Sequence, residues 1–180
     1  MPRLPGLLAI SLLFALPAWG RAGEPWKAVP EYTMKAAYLY NFAQLTDWPT
    51  DSVAGGEFHL CIYGQDEFGG ALDALRDKLI NGRKVRIRYI SEPAEARLCH
   101  MLFISQAESK RNTSRLFDVL RGYSVLTVSD NAQEVPGSTI SLSTTKEQRL
   151  SFAIDIDAGK RAQLRFSSKL LALAKRVIGE

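Results

Sequence analysis

Two histidines stand beside two cysteines in this 180-residue chain, as His59-x-Cys61 and Cys99-His100. Four such side chains could make a Cys₂His₂ zinc site, because thiolate sulfur and imidazole nitrogen suit tetrahedral zinc. The spacing argues against it. On a strand His59 and Cys61 share a face, whereas Cys99 and His100 point to opposite faces, so one ligand turns away unless the chain bends. A thioredoxin-like redox centre needs Cys-x-x-Cys, which the sequence lacks. The favoured reading is a single disulfide, Cys61–Cys99, the default for an exported chain in an oxidising compartment.

Other chemistry is weaker still. In "YGQDEFGGAL", Gly64 and Gly69 have P-loop spacing, but Gly70 and Ala71 replace the Lys and Ser/Thr that should follow. Asp66 and Glu67 would also repel a phosphate, and the dinucleotide pattern GxGxxG is absent. Asp155 and Asp157 open like a calcium loop, yet Gly159 and Lys160 occupy its fifth and sixth positions. Those acids serve better as caps of a last helix. There is no G-x-S-x-G elbow. The histidines fall in or beside buried strands next to cysteines, not beside a nucleophile. No catalytic residue, metal ligand or cofactor is assigned, and the chain reads as a binding module rather than an enzyme. A small molecule would sit beyond the strand ends near Gly64 and Ser105, where open α/β sheets place ligands.

These residues need a compartment and a scaffold. Arg3, the apolar run "LPGLLAISLLFALPAW" and the small residues after it read as a cleaved secretory signal over residues 1–22. A flexible leader, 23–30, and a single domain, 31–180, follow. Cutting after Ala22 removes Arg3 and Arg21, which takes Lys+Arg from 23 to 21 against 19 acids, a formal charge of +2. That charge is small and spread, so nucleic acid is not the partner. With 46% hydrophobic and 23% charged residues, the remainder has an ordinary globular balance.

Helical spacing begins at Glu31 and runs to Asp47, where Trp48-Pro49 stops it. Strands and helices then alternate. "FHLCIYG", "KVRIRYI", "CHMLFIS" and "YSVLTVS" are strands. Between them lie the helices "DEFGGALDALRDKL", "SEPAEARL" and "ESKRNTSRLFDVLRG", the last closing at Gly122. That rhythm predicts a mostly parallel sheet with helices on both faces, an α/β/α arrangement. "GSTISLST" and "RLSFAIDID" add a late antiparallel pair, and a helix over 158–178 closes the chain. Disulfide-bonded Cα atoms lie about 4.4–6.8 Å apart, so the first and third strands should be neighbours. This gives a flavodoxin-like order, 2-1-3-4, with the arginine-rich second strand at the edge.

The first helix has an unusual wheel. Met34, Tyr38 and Leu45 form a stripe that includes Asn41, while Leu39, Tyr40, Phe42 and Ala43 carry apolar surface round much of the remainder. Lys35, Gln44 and Asp47 are scattered. A surface helix keeps one polar side, so this one is expected to be covered on several sides, by the core alone or with help from a second chain. Tyr38, Tyr40, Phe42 and Trp48 are therefore interface candidates. Phe152, Leu164 and Phe166, from the late strand and the closing helix, join them.

In order along the chain, "KAAYLYNFAQLTDWP", "FHLCIYGQDEFGGAL", "NGRKVRIRYI", "CHMLFIS", "RLSFAIDIDAG" and "RFSSKLLALAK" resemble the YfiR family (YfiR/HmsC-like periplasmic proteins). The resemblance implies a periplasmic α/β/α protein that tends to dimerise. It implies a repressor that binds the periplasmic sensor domain of a membrane diguanylate cyclase, keeps cyclic-di-GMP synthesis low and restrains biofilm formation. An outer-membrane peptidoglycan-binding lipoprotein is the second implied partner, sequestering the repressor. Cys61 and Cys99 match a family disulfide pair. A second pair found in some relatives has no counterpart in "SDNAQEVPGSTISLST".

Overall fold

The computed structural model describes residues 30–49, 56–108, 110–130, 135–145 and 149–179. The signal and all of the leader except Pro30 lie outside the described residues. In chain order the elements are α1 (Glu31–Gln44), β1 (Thr46–Asp47), β2 (Glu57–Tyr63), a 3₁₀ helix (Gly69–Leu75), β3 (Leu79–Ile80) and β4 (Arg83–Ile90). A second 3₁₀ helix (Pro93–Leu98), β5 (Met101–Ile104), α2 (Lys110–Val119) and β6 (Leu126–Asp130) follow. Then come β7 (Ile140–Thr144), β8 (Leu150–Asp155), α3 (Ile156–Arg161), β9 (Arg165–Phe166), α4 (Ser168–Leu173) and β10 (Arg176–Ile178).

Eight strands form one mixed, mostly parallel sheet in the order β10-β8-β7-β6-β5-β2-β4-β3. The segment β4-β2-β5-β6 is the 2-1-3-4 order expected from the cysteines. β7 and β8 pair antiparallel, with Leu142 opposite Phe152, as their alternation requires. Successive residues of the central strands enter different cores. Phe58, Leu60 and Ile62 of β2 join Met101 and Phe103 of β5 in one cluster. Cys61 and Tyr63 join Leu102 and Ile104 in the other. Burial on both faces is why these strands read as continuous apolar runs rather than alternating ones. The first cluster takes Ala36, Leu39, Phe42 and Ala43 from α1; each large side chain among them is worth about 1.5–3 kcal/mol when buried. The second takes Ala96 from the 3₁₀ helix and Leu116 and Leu120 from α2.

Four expectations change. First, β4 is not the edge, because β3 folds back on it antiparallel. Asn81 and Gly82 between them have φ of 50° and 77°, the left-handed pair that a tight hairpin turn selects. Second, the helix expected over "DEFGGALDALRDKL" shrinks to one 3₁₀ helix. Gly69, with φ of 53°, interrupts the α-helical run at its start. Phe68, Leu72 and Leu75 still face the core.

Third, helix 158–178 is divided. Gln163 (φ 57°) ends α3, β9 crosses to pair with β1, and Ser167 caps α4 by accepting from the Leu170 amide at 3.2 Å. The C-terminal helix that remains is α4, and β10 after it pairs parallel to β8. Fourth, α1 does keep a solvent face. Thr33, Ala37, Asn41 and Gln44 are exposed in one strip, so Asn41 is not the buried amide its place on the wheel suggests. Lys35, scattered on the wheel, is the polar residue that goes inside.

Candidate functional site

Cys61 on β2 and Cys99 just before β5 form the expected disulfide, with Cα atoms 5.9 Å apart and a sequence separation of 38. Both sulfurs are bonded, so neither is a thiolate ligand. The two histidine rings stay close, edge-on at 5.6 Å. His100 stacks on Phe58 at 5.1 Å, and its Nδ1 accepts from the His59 amide at 3.0 Å. Its Nε2 lies 3.1 Å from Arg83 Nη1. A neutral imidazole has one acceptor nitrogen, so His100 can serve only one of these donors in full. Arg83 is 7% exposed, its Nε and Nη2 have no hydrogen-bond partner among the described residues, and burial pulls its pKa down. The guanidinium rests 5.7 Å from the Phe58 ring.

At the opposite ends of the strands, the expected ligand position is filled by the chain itself. A side chain at Gly64 would meet Glu108 Oε1 at 2.7 Å, and Ser105 is buried. Nearby, Lys35, 2% exposed, bonds Asp130 at 2.7 Å and Glu31 at 2.5 Å. The Tyr32 hydroxyl donates to Glu67 and lies 3.2 Å from an Asp130 carboxylate oxygen, and Thr144 donates to Glu31 at 2.7 Å. Burial raises the Asp130 pKa against the opposing pull of Lys35. Hydrogen bonds from Lys35 and Thr144 lower that of Glu31. The cluster ties the first turn of α1 to the ends of β6 and β7; its polar groups face one another.

The seven interface candidates all belong to the first core or pack against it. Phe42, Phe152 and Leu164 lie inside the first core. Tyr38 is half-buried, edge-on to Phe42 and Phe152 at 5.8 and 6.0 Å. Tyr40, two residues on and so on another side of the helix, reaches the Leu79 carbonyl at 3.4 Å. Trp48 packs on Phe58 and donates to the His100 carbonyl at 3.2 Å. Phe166 lies over Gly159.

The wheel and the strand patterns missed the surface beside the disulfide. Two open grooves of 530 and 340 Å³ meet at Tyr123 and Val125. Their signal in the sequence was faint: an aromatic directly after the Gly122 helix stop, and arginines spaced along unrelated segments.

The YfiR/HmsC-like family model (DUF4154) matches residues 32–175, from the first turn of α1 to the residue before β10. The chain belongs to the YfiR/HmsC-like family. Membership points to a regulator of diguanylate cyclase signalling, in a family that is periplasmic and regulatory rather than catalytic. The disulfide of this YfiR/HmsC-like chain suits that compartment. No helix among the described residues is long and apolar enough to cross a membrane.

Proposed function

We propose that the protein is a periplasmic repressor that binds the periplasmic sensor domain of an inner-membrane diguanylate cyclase and lowers cyclic-di-GMP synthesis. The family match over nearly the whole folded chain carries this reading. A homodimer is the acting form, and an outer-membrane peptidoglycan-binding lipoprotein competes for it. Tyr38, Tyr40, Trp48 and Phe166 are the interface candidates that keep some exposed surface. Deleting the gene should raise cyclic-di-GMP and biofilm mass, and the exported protein should co-purify with the cyclase's periplasmic domain. Unchanged cyclic-di-GMP in a strain that expresses the cyclase would sink the idea. The runner-up, a small-molecule sensor, is not favoured, because Glu108 lies across the position where its ligand was expected.

A further inference from the structure

The two grooves beside the disulfide are neighbours, with Tyr123 and Val125 lining both. One half is floored by the apolar side chains of Phe117, Leu120, Val125, Ala158 and Ala162. The other is walled by His59, Arg88, Arg97 and Leu98. Large apolar side chains stand open here: Leu98 is 59% and Tyr123 41% exposed. The charge is one-sided. Arg88, Arg97, Arg121 and Arg161 line the surface, and among the described residues Asp118 is the one carboxylate in either lining. Asp118 is already paired with Arg121 at 2.8 Å. Among the described residues no ion pair reaches Arg88, Arg97 or Arg161.

The Arg97 side chain is also held in place. Its Nε donates to the Val119 carbonyl at 3.3 Å, and its guanidinium lies 5.2 Å over the Tyr123 ring. A stacked, tethered arginine loses little freedom when it receives a carboxylate. Arginine and tyrosine are the side chains that dominate binding energy at protein interfaces. Both grooves are half open to solvent, which suits a segment of a protein chain better than a fully enclosed small molecule.

We propose that this surface docks an acidic, extended segment of a protein partner, with carboxylates at Arg88, Arg97 and Arg161 and apolar side chains on the floor beside Tyr123. This names the chemistry of the partner in the regulator reading above and rests on that reading. It also gives the disulfide a place in recognition, because Cys99 lines the groove between Leu98 and His100.

The test uses the oxidised, exported protein and a labelled peptide of alternating Glu and Leu, with a Gln/Leu peptide as the uncharged control. Saturable binding to the Glu peptide alone, weakened by salt, is expected. Arg97→Glu/Arg161→Glu and, separately, Tyr123→Ala should each weaken it about tenfold or more. Lys84→Glu/Lys169→Glu, the same charge change on exposed residues outside the grooves, should bind as the unmodified protein does. Equal binding by the charge-reversed groove, or free glutamate binding as tightly as the peptide, overturns the proposal. Pull-down of the cyclase's periplasmic domain separates the two ideas. Capture that survives Arg97→Glu/Arg161→Glu refutes the groove and leaves the regulator reading standing. Peptide binding without capture of the cyclase domain upholds the groove and refutes that reading.

Discussion

Lys35 sits in the second turn of α1 with its ammonium between Asp130 and Glu31 and 4.3 Å from the Tyr32 ring centroid. Two buried charges gain little net stability as a pair, but removing one partner leaves the other uncompensated. Lys35→Met should therefore cost about 3–5 kcal/mol at neutral pH. The pH dependence follows from the two shifts. Asp130 has a raised pKa, so its ionised form already costs stability at neutral pH. That cost disappears as pH falls through the raised value, because a protonated Asp130 needs no cation. Glu31 has a lowered pKa, so its contribution is present at neutral pH and lost on acidification. Both effects make the deficit of Lys35→Met shrink in acid. Urea unfolding at neutral and mildly acid pH measures it, and an equal deficit at both would contradict this account. Lys35→Met/Asp130→Asn should recover much of the loss at neutral pH.

At the scale of elements, the alternation of strands and helices was legible because the central strands β2, β5 and β6 are buried on both faces and the segments between them carry spaced apolar residues. The antiparallel β7–β8 pair was legible from its alternation of serines with Ile140 and Leu142. The divided C-terminal segment was not, since helical propensity runs through "AGKRAQLRFSSKLLALAKRVI" without a proline. What divides it is a tertiary bond set. Thr46 pairs with Phe166, and the Ser167 amide donates to the Leu45 carbonyl at 3.0 Å. Gly159 makes room for this crossing, because a Cβ there would lie 2.5 Å from Cε2 of Phe166. Alanine in a helix gains up to about 1 kcal/mol over glycine, but overpacking costs about 1–3 kcal/mol. Gly159→Ala should thus lower the melting temperature, and adding Phe166→Leu should restore part of it. A rise in the single variant would show that the ring moves aside freely.

On the scale of the whole molecule, the Cys61–Cys99 bond joins neighbouring strands across 38 residues of sequence. In the chain-entropy model such a loop is worth about 4 kcal/mol, through the unfolded state. Cys61→Ser/Cys99→Ser should lower the unfolding free energy by about that amount while the far-ultraviolet circular dichroism stays native; an unchanged unfolding midpoint would refute this. The cysteines carried more tertiary information than any other residues in the sequence, because a bond length fixes which strands are neighbours. With the local periodicities they determined the α/β class, the order of the central strands and the disulfide, and the order of motifs placed the chain in its family. Tertiary structure alone decided that Lys35 goes inside, that the interface candidates pack on one core, and that arginines from β4, the second 3₁₀ helix and α3 gather around Tyr123. Periodicity is a property of neighbouring residues, whereas Lys35 and Asp130 are 95 positions apart, and their meeting leaves no local trace until the sheet closes between them.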